Sequence, residues 1–146
     1  MVYIGADACK KGWFAVMLRE GNNWQLDIFP NISSLWNQCK EGGLILIDIP
    51  IGLLESNSNE RACDIEARKL LGRKRGSSVF PVPCRDAIYA DIKQASEINK
   101  RMTGRRLSQQ VYGIIPKIKQ VDQLLTANAT AKRTFEKSIQ RYAFGH

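Results

Sequence analysis

The sequence is poor in the residues that bind zinc. Its one histidine, His146, is the last residue, and no two of its four cysteines form a Cys-x-x-Cys pair: Cys9, Cys39, Cys63 and Cys84. Zinc sites in proteins use cysteine and histidine ligands at short spacings, so none is expected here. The cysteines are expected to be free thiols in a reducing cytoplasm.

The sequence also lacks a long apolar run and a basic leader. No apolar stretch approaches the roughly 20 residues that a membrane span requires. The N-terminus enters a strand-like run directly, without the positively charged start of a signal peptide. We therefore expect no contact with a membrane. A chain of 146 residues that is 44% hydrophobic can form one domain with its own core.

Positive charge is scarce in the first part of the chain and abundant in the second. Residues 1–66 contain five Lys/Arg and nine Asp/Glu, whereas residues 67–146 contain seventeen and five. An acidic half that could hold a metal ion and a basic half that could hold phosphates would suit a metal-dependent nuclease. A solvated basic surface without a nucleic-acid partner explains the same charges.

The first fifty residues predict a mixed sheet. Residues 2–6, 13–18 and 24–29 have strand patterns separated by short turns, which predicts an antiparallel meander. Ser33 or Ser34 is predicted to cap a helix that runs to about Glu41. The strand predicted at 44–49 follows this helical crossover, so it should lie parallel to the first strand. Helical periodicity continues over residues 59–71, 85–99 and 117–128, and residues 132–142 could form a basic helix.

Two aspartates follow apolar strand runs. Asp7 follows residues 2–6, and Asp48 follows residues 44–47. Parallel neighbouring strands would hold both carboxylates at one edge of the sheet, where repulsion favours a shared proton or a bound divalent metal. Alternatively, each aspartate caps the loop or helix that follows its strand.

Five sequence blocks together resemble the domain of unknown function 429 family. They cover most of the chain in the family's order: Gly5-x-Asp7-x-Cys9-x-x-Gly12-Trp13, Ile47-Asp48-Ile49-Pro50-Ile51-Gly52-Leu53, Arg61-x-Cys63-Asp64-x-x-Ala67-Arg68-x-x-Leu71-Gly72, Ser77-Ser78-Val79-Phe80-Pro81-x-Pro83-x-Arg85, and Ser108-x-Gln110-x-Tyr112-x-Ile114-Ile115-Pro116-Lys117-Ile118-x-x-Val121-Asp122. The resemblance implies a ribonuclease H-like α/β fold in a single domain, residues 1–146, with a helical insertion at about 55–128.

The resemblance also implies a site. Asp7 and Asp48 would be catalytic and would bind Mg²⁺ or Mn²⁺, activating water at a phosphodiester. Members of the family usually continue into another strand and a histidine-proline-glutamate block, so we expect this chain to be C-terminally truncated or frame-altered. Asp64 is the preferred third carboxylate, with Glu66 and Asp122 as alternatives.

Cations and polar residues in the family blocks are candidates for substrate binding. The arginines and the lysine could clamp phosphate, and the serine and glutamine could contact a base or sugar. Pairing with the aspartates and ordinary loop fixing are the structural alternatives. The candidates are Arg61, Arg68, Arg73, Ser77, Arg85, Gln110 and Lys117.

The favoured function is a metal-dependent nuclease or phosphoesterase acting on nucleic acid, impaired if the C-terminal acidic block is missing. The alternative is a catalytically inactive nucleic-acid or nucleotide-binding protein of the same fold. A sheet that ends early leaves an open edge or an uncovered apolar face, which predicts a homodimer.

Overall fold

The computed structural model describes residues 2–41, 44–55 and 60–135. Its strands are β1 (Tyr3–Cys9), β2 (Gly12–Leu18), β3 (Trp24–Phe29) and β4 (Leu44–Ile47). Its helices are α1 (Ile32–Cys39), α2 (Ala62–Arg75), α3 (Arg85–Tyr89), α4 (Ile92–Thr103), α5 (Gln109–Ala127) and α6 (residues 129–135). Within these ranges, no helix has the length and apolar character needed to cross a bilayer.

The four strands form one mixed sheet in the order β3-β2-β1-β4. β1 pairs antiparallel with β2, β2 pairs antiparallel with β3, and β4 lies parallel to β1. The predicted α/β fold, a three-stranded meander with one added parallel strand followed by helices, is therefore confirmed. The parallel pairing follows from α1, which returns the chain to the other side of β1.

Tertiary contacts divide the chain into two compact units. The sheet unit contains Met1–Ile49 and Gln120–His146, and the helical unit contains Pro50–Lys119. The single domain with an insertion at about 55–128 stays a prediction.

The core of the sheet unit lies on one face of the sheet. Trp13 is fully buried there, and its indole N–H donates to Oε1 of Gln120 on α5 at 2.9 Å. The Trp36 ring of α1 lies 6.2 Å from the Phe135 ring of α6. One side of the sheet is thus covered by α1 and the C-terminal part of α5, and α6 packs on α1.

Two local features differ from the predicted helix and strand ends. Asn31, not Ser33 or Ser34, caps α1, because its Oδ1 accepts the Ser34 N–H at 2.8 Å. β1 continues past Asp7 to Cys9, since the hairpin closes by pairing Cys9 with Gly12. Asp7 therefore lies inside the strand.

The helical unit also departs from the periodicity of the sequence. The helix predicted over 85–99 is two helices, because Asp91 caps α4 by accepting the Lys93 N–H at 2.9 Å. α2 leaves helical geometry at Gly72, directly after the predicted helix end at residue 71, and then continues to Arg75. α5 begins before residue 117 and includes Pro116. The predicted start of the first of these helices, residue 59, lies outside the described residues. So do residues 136–142, the end of the predicted basic helix over 132–142.

Buried Asn99 joins the helices of this unit. Its Oδ1 accepts the Cys84 N–H at 3.0 Å, and its Nδ2 donates to the Arg105 carbonyl oxygen at 2.8 Å. A buried amide is tolerated only when its polar atoms are paired, as they are here.

Candidate functional site

The strand register brings the two predicted metal ligands side by side. Ala6 pairs with Ile47, and the Asp48 N–H donates to the Ala6 carbonyl oxygen at 3.1 Å. The next pair in this parallel register is Asp7 and Asp48. Both residues are exposed to solvent. The backbones of the two residues therefore lie next to each other, Asp7 within β1 and Asp48 one residue past β4, and their metal-binding and catalytic roles stay predictions.

A local hydrogen bond orients the Asp7 carboxylate. The Ala8 N–H donates to Asp7 Oδ1 at 2.7 Å. A carboxylate has about four lone-pair sites, so this bond leaves capacity for a cation. Mg²⁺ is commonly held by one or two carboxylates together with water and substrate phosphate. The chemistry of this pair fits such an ion.

Two of the three candidates for a third carboxylate, Asp64 and Glu66, pair with cations in the helical unit. Asp64 is buried in α2 of the helical unit, and its two oxygens accept from Arg61 at 2.7 and 2.8 Å. Glu66 accepts from Lys69 at 2.6 Å. Asp122 is half-buried on α5 in the sheet unit. Over residues 2–41, 44–55 and 60–135, no three Asp, Glu, His or Cys side chains form a metal-binding group. The catalytic role of Asp64 stays a prediction.

Three of the arginines predicted to bind phosphate instead contact other segments of the helical unit. Arg61 also donates to the Ile51 carbonyl oxygen at 2.6 Å. Arg68 Nε donates to the Val79 carbonyl oxygen at 2.9 Å, and Arg85 pairs with Glu55 at 3.1 Å. These contacts link the segment around residue 51, helix α2 and residues 79–85, which we call the proline-rich segment because it contains Pro81 and Pro83. The arginines therefore have structural roles in the family blocks.

Glu60 is a residue that the sequence analysis did not single out. Its Oε1 accepts from Arg68 at 2.7 Å and from Arg105 at 2.8 Å. One carboxylate thus connects the first half of α2 with the segment after α4. In the sequence, Glu60 stands out only because it directly precedes the family block that begins at Arg61. Nothing in the sequence identifies Arg105 as its partner.

The other candidates lie nearer the surface of the same unit. Arg73 and Ser77 are exposed at the end of α2 and in the following turn, Gln110 is exposed in the first turn of α5, and Lys117 is half-buried. The helical unit contains fourteen Lys/Arg and seven Asp/Glu, so its formal net charge is +7, whereas that of the whole chain is +8. The positive charge is therefore concentrated in this unit. The substrate-binding roles of these residues stay predictions.

Comparison with known proteins identifies a family and nothing finer. The family model described as "Protein of unknown function (DUF429)" matches residues 5–137. Neither the curated proteins nor the solved structures gave a match. The family resemblance drawn from the five sequence blocks is confirmed over most of the chain.

Proposed function

The chain belongs to the DUF429 family, and we propose that it is a metal-dependent nuclease or phosphoesterase acting on nucleic acid. The observation that supports this most strongly is the parallel register that makes Asp7 and Asp48 neighbours. Two carboxylates on adjacent strands repel each other, and a divalent cation between them would relieve that repulsion. The net charge of +7 in the helical unit is a second support, because phosphate contacts dominate the affinity of proteins for nucleic acids.

In this proposal Asp7 and Asp48 hold Mg²⁺ or Mn²⁺. The ion would supply Lewis acidity at a phosphodiester and lower the pKa of bound water. The Ala8 N–H fixes the Asp7 carboxylate in one orientation, and the Ala6 carbonyl fixes the backbone of Asp48. Exposed Arg73 and Ser77 are the proposed contacts to phosphate and sugar.

The test is a titration of Mg²⁺ and Mn²⁺ by calorimetry, followed by cleavage assays on labelled single-stranded and double-stranded oligonucleotides. We expect wild-type protein to bind the ions and Asp7→Asn/Asp48→Asn protein not to bind them. Asp27→Asn is the matched control, because Asp27 is an exposed strand aspartate whose Oδ1 also accepts the next N–H, at 2.8 Å. Ion binding that survives in the double variant, or is lost in the control, would contradict the site.

A second candidate is a nucleic-acid-binding protein without catalysis. The occupied Asp64 carboxylate favours it, because both oxygens already accept hydrogen bonds from Arg61. This candidate predicts oligonucleotide binding that weakens with salt and leaves the oligonucleotide intact in the presence of either metal. Cleavage that depends on metal and on Asp48 would rule it out.

A further inference from the structure

The face of the sheet opposite the core is apolar and exposed. The register places nine large apolar side chains, one glycine and Asp7 there: Leu44, Tyr3, Leu18 and Trp24 in the first row, Leu46, Gly5, Val16 and Leu26 in the second, and Asp7, Phe14 and Ile28 in the third. We call these positions the open face. Seven of the nine large apolar residues are 36% to 66% exposed; the other two, Leu44 and Leu46, are half-buried.

From this arrangement we propose that the open face binds the same face of a second copy of the chain. The inference does not depend on the proposed function, because Asp7 lies in the outer row of the face, at the rim of the interface, where polar groups stay accessible to solvent. Two sheets that pack face to face interdigitate their side chains about 10 Å apart, as in a β-sandwich. A dimer with twofold symmetry uses the same patch on both subunits, so one apolar patch supplies both sides of the interface.

The exposed apolar area matches what a homodimer requires. Taking roughly 200 Å² for a fully exposed aromatic side chain, Tyr3, Phe14 and Trp24 present about 300 Å². The four exposed aliphatic side chains add about 170 Å² at roughly 100 Å² each when fully exposed. A standard interface uses about 800 Å² per partner, of which about 520 Å² is apolar in homodimers. The open face alone supplies nearly all of that apolar share.

The charge of the open face argues against nucleic acid as its occupant. Exposed aromatic rings on a four-stranded sheet can stack on bases, as in RNA-binding sheets. Such surfaces also carry cations for the phosphates. The positions of the open face, all within the described residues, include no lysine or arginine; their one charged residue is Asp7, and Asp48, one residue past β4, adds a second carboxylate to the same row. An apolar protein surface is therefore the better partner.

The test measures the mass of the full chain by light scattering and sedimentation between about 1 and about 100 μM. We expect a dimer for wild-type protein and a dissociation constant raised roughly 30-fold or more by Val16→Arg, which puts a charge at the centre of the face. Leu70→Arg is the control, since Leu70 is an 89% exposed apolar residue of the helical unit. It should leave the dimer unchanged. Circular dichroism verifies that both variants fold.

A monomeric wild-type chain at the highest concentration would overturn the proposal, whatever covers the open face in that monomer. A dimer that Val16→Arg leaves intact would overturn it equally. Fluorescence supplies a measurement without a variant: tryptophan emission should shift to shorter wavelength as the protein is concentrated, because Trp24 is 66% exposed while Trp13 and Trp36 are already buried. If single-stranded RNA quenches Trp24 in a monomer, the face binds bases and the second-copy proposal is wrong. Metal titrations are read separately, so failure of the metal site would leave this result unaffected.

Discussion

Arg61 holds the buried carboxylate of Asp64 with two hydrogen bonds, from Nε to Oδ2 at 2.8 Å and from Nη2 to Oδ1 at 2.7 Å. This bidentate geometry is the strongest form of carboxylate recognition by arginine. The same arginine also donates to the Ile51 carbonyl oxygen. An aspartate in a family block, which on sequence grounds was the best third metal ligand, is thus part of a structural network at the start of α2.

Asp64→Ala should destabilise the protein by about 3 kcal/mol, because it leaves the Arg61 guanidinium partly buried without its carboxylate. Urea unfolding followed by circular dichroism measures the change. Glu66→Ala is the matched control: Glu66 pairs with Lys69 at the same spacing in the same helix, but both side chains are exposed. Its cost should stay below about 1 kcal/mol. Equal effects of the two substitutions would show that the Arg61 contact is not important for stability.

Gly12→Ala should destabilise the hairpin by about 3 kcal/mol or prevent folding. Gly12 has φ 139°, and a Cβ there would lie 2.0 Å from the Phe29 carbonyl oxygen, a backbone atom that cannot move away cheaply. Gly5→Ala in β1 is the control, because a Cβ at that position meets no atom within 4 Å. Thermal unfolding of both variants decides the matter, and a Gly12→Ala protein as stable as wild type would refute the close approach.

Burial raises the pKa of the Cys39 thiol; nearby Arg19 opposes this shift, and Asp27 adds to it. Because the folded state favours the neutral thiol, the stability that this provides is present below the ordinary pKa of a thiol and is lost as pH rises through the raised value. Iodoacetamide should therefore modify exposed Cys63 well before Cys39 at pH 8, with Cys39 reacting only at more alkaline pH or after unfolding. Mass spectrometry of the alkylated peptides gives both rates. Equal rates for the two thiols at pH 8 would contradict the burial of Cys39.

If the helical unit binds nucleic acid, Arg73→Ala/Lys74→Ala should flatten the salt dependence of binding to a single-stranded oligonucleotide. Each lost phosphate contact reduces the slope of log K against log salt by about 0.7, so the pair removes about 1.4. Lys10→Ala/Lys11→Ala removes two exposed lysines from a turn of the sheet unit and should leave the slope unchanged. Fluorescence anisotropy over a salt series measures all three proteins, and identical slopes would remove these residues from the interface.

The strands and the aspartate pair were predictable because their signals are local. An apolar run reached through a helix indicates a buried parallel strand, and the two runs carry Asp7 and Asp48 into the same register. The helix boundaries were less predictable because side-chain caps decide them. Asn31 and Asp91 set the first residues of α1 and α4, and hydrophobic periodicity does not detect such single capping positions.

The roles of the arginines depend on partners that are distant in sequence. Arg68 meets Glu60 and the Val79 carbonyl only after α2 and the proline-rich segment have come together. Sequence alone therefore could not separate arginines that are available for phosphate from those that hold loops. The sequence predicted an open edge or an uncovered apolar face but did not decide between the two, for a related reason. Strands with apolar residues on both sides, such as Phe14 and Val16 alternating with Trp13 and Ala15, predict cover on both faces without saying what provides it.

The bond between Trp13 and Gln120 joins residues 107 positions apart. The strands made first on the ribosome therefore lack part of their core until α5 and α6 have been synthesised. The helical unit between them is a continuous stretch of chain, so its contacts can form earlier. Closing so long a loop slows folding and leaves the nascent sheet exposed to wrong pairings during that interval. Newly made chains should thus depend on chaperones more than the length of the protein alone suggests.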